Sequence, residues 1–322
     1  MTLPFDLAGK RIWVAGHRGM VGSAVVRRLA AENVGEILVA PRDKVDLTRQ
    51  TQVEDWVAAA RPDVVVLAAA RVGGIAANAA RPVDFLHDNL MIEANIMAAS
   101  AAAKVGKLLF LGSSCIYPKF ADQPIVEEAL LTGALEPTNQ WYAVAKIAGI
   151  KLAEAYREQY GLDFISAMPT NLYGPGDNYD LESSHVIPAL LRKAVAARDA
   201  GDANMMVWGT GTPRREFMHV DDLADALVFV LKNYSQAAHI NVGSGSDVTI
   251  AELAATVADV VGYKGGLAFD TSRPDGTPRK LMDGAKLAAM GWSPRIGLRE
   301  GLADAYAHLQ RDMAARSGAA RA

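Results

Sequence analysis

Arg11-Ile-Trp-Val-Ala-Gly-His-Arg-Gly-Met-Val-Gly22 decides the fold. The apolar run Arg11 to Ala15 reads as a buried strand that ends where glycines begin, and a helix is predicted over Met20 to Ala31. Gly16 and Gly19 permit a tight turn after the strand and leave the first helical amides uncovered. Those amides and the helix dipole suit a pyrophosphate, and Gly22 lets the helix lie close to the sheet. His17, Arg18, Met20 and Val21 complete the loop. The spacing alone also fits an ordinary tight turn; the strand before it and the helix after it favour a dinucleotide site.

Outward from this stretch the chain alternates. Strands are predicted over Glu36 to Ala40, Asp63 to Ala68, Lys107 to Leu111 and Phe164 to Met168, with helices over Arg49 to Ala60, Pro82 to Lys104 and Trp141 to Tyr160. This pattern predicts an α/β protein: a Rossmann-type parallel sheet with helices on both faces. From Asn171 the pattern loosens into a helix Val186 to Ala197, a strand Met205 to Trp208, a helix Asp221 to Leu231 with an acidic cap, and a helix Ile250 to Val261. A smaller, partly interleaved C-terminal substrate lobe is expected. Residues 1–172 would mainly bind the dinucleotide and 173–322 mainly the substrate, with segments near 206–242 returning to the first domain.

The acid that would bond a ribose diol at the end of the second strand is absent, because Val39 is followed by Ala40-Pro41-Arg42. Arg18 and Arg42 either grip a ribose phosphate, which favours NADP over NAD, or are solvated surface charges. Asp46 and Leu47 are expected to border the adenine.

Gly112-Ser-Ser-Cys115 follows the strand Lys107 to Leu111, at the carboxyl edge where open parallel sheets hold ligands. Leu111, Gly112, Ser113 and Ser114 are therefore placed beside the cofactor. Tyr142 and Lys146 rise from one face of a helix and can meet one ligand. A free phenol titrates at about 10 and is a poor base at neutral pH; a nearby cation lowers that value. In the reductive direction Tyr142 gives a proton to a carbonyl oxygen, Ser113 donates to the same oxygen, and Lys146 reaches the nicotinamide ribose. Pro169, Thr170, Asn171 and Leu172 end the last central strand, where Asn171 either bonds a ligand or closes a turn. Gly73-Gly74 reads as a close approach to cofactor or a simple turn, and Asn89, Asn95 and Asn139 as amides that satisfy nearby backbone.

Composition bounds the alternatives. With 322 residues, 51% hydrophobic and 21% charged, the chain can bury a full core. A net charge of −3 supplies no field toward nucleic acid or an anionic membrane. One cysteine makes no internal bridge and no cysteine-rich metal site, and no ligand cluster calls for a catalytic metal. Met1 to Lys10 carries Asp6 and no long apolar run, so neither signal peptide nor membrane span is expected, and a cytoplasmic protein is.

Seven motifs carry a resemblance over nearly the entire chain. They are Gly16 to Gly22, Gly112 to Pro118, Tyr142-Ala-Val-Ala-Lys146, Pro169 to Gly174, Ser184 to Pro188, Trp208 to Phe217 and Arg273 to Lys280. Together they resemble the extended short-chain dehydrogenase/reductase family, and most nearly its branch of bifunctional enzymes that make GDP-L-fucose. The resemblance implies epimerisation of GDP-4-keto-6-deoxy-D-mannose at C3 and C5, then reduction at C4 with NADPH, by a homodimer joined through the helices near Pro82 to Lys104 and Trp141 to Tyr160. It also implies catalytic roles for Ser113, Cys115, Tyr142, Lys146 and His185, with Cys115 as base and His185, which also borders the cofactor, as the acid that reprotonates. Lys193, Trp208, Arg215, Asp275 and Lys280 would bind the nucleotide-sugar. Read without the resemblance, Cys115 is a small buried hydrophobe, Lys193 a wet helix face, Trp208 core and Asp275-Gly276 a turn. A dehydratase of this family would carry an Asp-Glu pair where Ser114-Cys115 stands. A simple C4 epimerase or dehydrogenase, and a cofactor-binding protein without turnover, are the other readings.

Overall fold

A computed structural model describes residues 5–180, 183–273 and 275–319. In chain order its strands are β1 Arg11–Ala15, β2 Glu36–Leu38, β3 Val64–Leu67, β4 Lys107–Leu111, β5 Phe164–Pro169, β6 Asn171–Tyr173, β7 Asn204–Trp208, β8 Arg214–His219, β9 Ile240–Val242, β10 Asp247–Thr249, β11 Gly266–Asp270 and β12 Arg279–Lys280. The helices are α1 Met20–Leu29, α2 Gln50–Ala60, α3 Ile75–Ala80, α4 Asn89–Ala102, α5 Gln140–Tyr160, α6 Val186–Ala200, α7 Val220–Asn233, α8 Ile250–Val261, α9 Ala285–Ala289 and α10 Leu298–Ala319. None of the described helices is long and apolar enough to cross a membrane.

The main sheet runs β2-β1-β3-β4-β5-β9, and each neighbouring pair is parallel. Strand order reverses between β1 and β3, so a crevice opens beyond their carboxyl ends, the place where such sheets bind ligands. Alternate residues of each strand face opposite helical layers. Val14 and Val66 pack with Val25 and Leu29 of α1 and Leu223, Leu227 and Val230 of α7. Trp13, Leu67 and Phe110 pack on the other side with Val53 of α2, Ile96 of α4 and Ile150 of α5. Each such side chain stabilises the fold by about 1.5–3 kcal/mol through burial.

A third cluster joins α6, α8 and α10 to Met205 and Val207 of β7 and Phe217 of β8. Its frame is β8, which pairs with β6, β10 and β12, while β7 pairs with β11.

Two sequence expectations are corrected here. The helix Pro82 to Lys104 is interrupted by a π-helical turn, Asp84–Asp88, before α4. Arg71 forms ion pairs of 2.9 Å with both Asp84 and Asp88, and Asn89 Nδ2 donates to the Phe85 carbonyl, so polar partners hold the widened turn. The acidic cap expected on the helix from Asp221 is His219, whose ring accepts from the Asp221 amide at 3.3 Å; Asp221 and Asp222 lie in the first turn.

Candidate active site

The glycine loop is folded flat against the sheet. Gly16 has φ of 91°, and a Cβ there would lie 2.7 Å from the Ala69 backbone just past β3. A Cβ on Gly22 would lie 2.1 Å from the Gly16 carbonyl oxygen, so any side chain at 22 would push α1 off the loop. Gly19 caps α1, with no side-chain cap bond and no acid in the first turn. With no acid in that turn, the leading amides of α1 and its positive dipole end fit a dinucleotide pyrophosphate.

Beyond β2, Arg42 is exposed and Arg18 stands 4.0 Å from Asp43, with both side chains mostly in solvent. The loop thus gathers two guanidiniums at one edge, although Arg18 already has an acidic neighbour. Asp46 turns inward: its carboxylate accepts from the Thr48 amide and hydroxyl at 3.0 and 2.8 Å, and these bonds hold its pKa below the usual carboxylate range. Its side chain shapes the turn, while the Leu47 carbonyl accepts from Asn95 Nδ2 at 3.0 Å. Burial, and then Arg18, lower the pKa of His17.

At the carboxyl end of β4 the reactive side chains converge. Gly112 allows β4 and β5 to approach, since a Cβ would meet Met168 Sδ at 2.2 Å. Ser113 caps the short turn Ser114–Ile116 and accepts from the Cys115 amide at 3.3 Å. Tyr142, near the start of α5, shares a hydrogen bond with Ser113. Burial of the hydroxyl, with Cys115 and Glu93 nearby, pushes the Tyr142 pKa up against that bond. One turn on, Lys146 is 2% exposed, with its Nζ 4.6 Å from the Phe110 ring centroid and 5.8 Å from that of Tyr142. That ammonium has a partner sequence reading missed: Glu93 Oε1 of α4 lies 2.8 Å away. Asn139 was expected to satisfy backbone; its Nδ2 instead faces Cys115 Sγ.

Asn171 Nδ2 donates to the Glu216 carbonyl at 2.8 Å and Thr170 Oγ1 to the same oxygen at 3.2 Å. These two side chains stitch β5–β6 to β8, while Pro169 and Leu172 line the junction.

His185 caps α6 without a side-chain cap bond. Its surface is open to solvent, yet surrounding protein desolvates the ring enough to lower its pKa; the open surface indicates a cleft rather than a sealed core. No hydrogen bond or ion pair among the described residues joins it to Ser113, Cys115 or Tyr142. What fixes its position is the preceding backbone: the Gly74 amide donates to the Ser183 carbonyl at 3.1 Å, and a Cβ at Gly74 would come within 2.8 Å of the Ser184 carbonyl oxygen. Gly74 thus receives the loop that carries His185.

On the second lobe Trp208 is 51% exposed rather than core. Lys193 Nζ and Arg273 Cζ lie 4.7 and 4.8 Å from its ring centroid, so the indole is flanked by cations. Lys193 Nζ also donates to the Met206 carbonyl, and burial, then Arg273, lower its pKa. Burial likewise lowers the pKa of Arg215, opposed by Glu136, Asp275 and Cys115; its field therefore reaches from the second lobe to the thiol. Lys280 is registered opposite Arg215 between β12 and β8. The Asp275 carboxylate oxygens accept from the Thr210 amide and hydroxyl, each at 2.8 Å, and so shape the 209–211 loop.

Residues 12–243 match the model of the NAD dependent epimerase/dehydratase family. The chain is 60% identical to the GDP-L-fucose synthase of Sinorhizobium fredii over 93% of its length and 95% of that protein. It is 53% identical to the GDP-L-fucose synthase of Escherichia coli over 93% of its length and 96% of that one. A crystal structure of a GDP-L-fucose synthetase from Naegleria fowleri bound to NADP superposes with a TM-score of 0.89 at 26% identity, covering 97% of this chain and 98% of that chain. With the glycine loop, the Ser113–Tyr142–Lys146 group and nearly full-length similarity in agreement, the chain belongs to the GDP-L-fucose synthases of the NAD dependent epimerase/dehydratase family.

Proposed function

We propose that this chain converts GDP-4-keto-6-deoxy-D-mannose to GDP-L-fucose, by epimerisation at C3 and C5 followed by NADPH-dependent reduction at C4. The observation that carries the reading is the convergence of Ser113, Cys115, Tyr142 and Lys146 beyond β4, with a thiol rather than an acid following the serines. Residues 1–172 mainly serve the cofactor and 173–322 mainly the nucleotide-sugar.

Both epimerised carbons are alpha to the C4 ketone, so their protons become acidic when negative charge moves onto the ketone oxygen. Hydrogen bonds from Ser113 and Tyr142 stabilise that charge. Cys115 removes a proton from one face and His185 returns one on the other. The chemistry that NADPH supplies when bound is a hydride for C4. The glycine loop with His17, Met20 and Val21, the segment Leu111 to Ser114, and Pro169 to Leu172 would hold it, with Arg42 on its ribose phosphate and Lys146 on its nicotinamide ribose. Tyr142 then protonates the C4 oxygen. Arg215 and Lys193 offset diphosphate charge, Trp208 offers a flat face, and Lys280 stands beside Arg215. The carboxylate of Asp275 keeps the loop before Arg215 in shape.

A homodimer is part of the same reading. Val83, Trp141 and Val144 expose apolar surface at 72%, 40% and 42% on the side of α4 and α5, and mass in solution tests it.

The reading is tested by following the keto sugar with NADPH by NMR in deuterated water. Deuterium at C3 and C5 with the L-fuco product supports it; reduction without exchange points to a simple C4 reductase. Tyr142→Phe is expected to lower C4 reduction by at least about a hundredfold, on the scale of general acid catalysis, and a near-parent rate would remove Tyr142 from its role.

A further inference from the structure

Between the turn that carries Cys115 and the start of α5, the chain makes an excursion through residues 120–135 and closes it at a narrow neck. There the Lys119 amide donates to the Ala134 carbonyl at 2.9 Å, and Lys119 Nζ lies 2.9 Å from Glu136 Oε2. The neck sets the residues that follow the thiol beside those that lead into α5. Glu136 is buried. Its Oε1 accepts from the Thr138 amide and hydroxyl at 3.4 and 3.3 Å, and its carbonyl accepts from the Asn139 amide at 3.2 Å. Asn139 is therefore held from Glu136, and its Nδ2 faces Cys115 Sγ. Burial alone would raise the Glu136 pKa, but hydrogen bonds from Lys119 and Thr138 hold it below the usual carboxylate range. It is a buried anion, a group that costs stability unless its partners are well placed.

A further donor to this carboxylate comes from the other lobe. Thr277 is buried, and its hydroxyl donates to Glu136 Oε2 at 3.5 Å, with no other partner among the described residues. It lies between Asp275 and Lys280, in the segment proposed above to meet the nucleotide. The Glu136 charge also leads the anions that oppose the effect of burial on Arg215. A continuous set of hydrogen bonds thus runs from Thr277 through Glu136 and Asn139 to the sulfur. The diphosphate is held by the second lobe while the sugar carbons react at the first, so the ring meets the thiol correctly only if those segments are joined in one geometry. We propose that Glu136 is a positioning residue for the epimerisation: it joins the nucleotide-binding segment to Asn139 and so fixes the direction of the Cys115 thiol. The inference deepens the proposed function and rests on Cys115 as its base.

Thr277→Val tests it, because the change keeps the side-chain shape and alters no charge near the sulfur. Alkylation of Cys115 by iodoacetamide in the ligand-free protein, followed by mass spectrometry, reads the thiol without any substrate. Thr277→Val is expected to slow alkylation about threefold, the lower range for one hydrogen bond, and Glu136→Gln, which also loses the Lys119 ion pair, at least as much. In Thr277→Val/Asn139→Ala the rate should equal that of Asn139→Ala alone, since the effect travels through that amide. Alkylation of Thr277→Val at the parent rate overturns the inference, and so do effects of the two changes that multiply, as a merely loosened scaffold would give. Exchange at C3 and C5 is expected to fall in step with alkylation, with C4 reduction of an epimerised ketone within about twofold of the parent. Alkylation that responds as stated while exchange does not removes Cys115 as the base and leaves the coupling in place. If Glu136→Gln does not fold, Thr277→Val and the double variant decide.

Discussion

Asn139 Nδ2 donates to Cys115 Sγ at 3.2 Å, and the Oδ1 of the same amide is buried without a protein partner. An amide N–H facing sulfur stabilises negative charge as it develops there, and the approach from α5 fixes the direction in which the lone pairs point. Because Cys115 is the only cysteine, its alkylation by iodoacetamide reads this one sulfur. Asn139→Ala is expected to slow alkylation and C3/C5 proton exchange roughly tenfold, the scale of one hydrogen bond to a charged group. Reduction of an already epimerised ketone should stay near the parent rate. Equal loss in both steps would assign Asn139 to the scaffold.

Cys115→Ser separates the same two steps more sharply. A hydroxyl keeps the Asn139 bond but ionises far less readily than a thiol, so it supplies little of the anion that takes a proton. Exchange at C3 and C5 is expected to fall at least about a hundredfold, with direct C4 reduction retained. NMR of the exchange beside NADPH absorbance gives both rates, and full exchange in the serine variant would exclude the thiol as base.

The extent to which the sequence disclosed this site follows from how local each signal is. The bounds of the helix Ile250–Val261 are locally encoded, since Thr249 and Glu252 cap each other and Gly262 closes it at φ of 80°. The strand Arg214–His219 has no local signal: three charged residues in a row show neither alternation nor an apolar run, and only non-local pairing with β6, β10 and β12 buries Glu216. Ser113, Tyr142 and Lys146 were legible because a strand end and a helical spacing carry them. Glu93 was not, since an acid in an alanine-rich helix looks solvated until the partner helix supplies its cation. Gly149, where a Cβ would lie 2.6 Å from Glu93 Oε2 in a helix that would otherwise favour alanine, was the available clue.

Gly74 shows how a backbone contact places a distant residue. A methyl group there would lie 2.8 Å from the Ser184 carbonyl oxygen, so Gly74→Ala should push the loop before His185 outward. Small displacements of a proton donor are costly. Exchange at C3 and C5 is expected to drop about tenfold and NADPH affinity to change less than about twofold. Matching losses in both would mean that the loop serves the cofactor rather than the imidazole.

Arg42 and Arg18 differ in their freedom. Arg18 has Asp43 at 4.0 Å, whereas Arg42 stands exposed beside it. Removing a guanidinium from a phosphate generally costs a charge-assisted bond. Arg42→Ala is therefore expected to weaken NADPH about tenfold and NADH little, measured by fluorescence titration of each. Equal effects on both cofactors would show that Arg42 does not read the phosphate.

At the opposite edge of the sheet, Lys107 and Asp163 link acid stability to the fold. Lys107 Nζ is buried 3.1 Å from Asp163 Oδ2 and also donates to the Tyr234 carbonyl. Burial alone would raise the Asp163 pKa, but hydrogen bonds from Ser235 and Arg157 and the Lys107 charge hold it below the usual carboxylate range. For Lys107 burial prevails over Asp163 and lowers the ammonium pKa; the pair is asymmetric because Lys107 is the more deeply buried partner and Asp163 has three donors. A depressed folded pKa means that the native state binds fewer protons than the unfolded chain. The Asp163 contribution is therefore complete above the unfolded value of about 3.9 and disappears as pH falls through the folded one. Asp163→Asn should cost about 3–5 kcal/mol near pH 7, by leaving Lys107 buried without its counter-charge, and progressively less below pH 4. Asp163→Asn/Lys107→Met should recover much of it. Denaturant melts at several pH values check this, and a loss as large at pH 2 as at pH 7 would show that packing, rather than the ionised pair, supplies the stability.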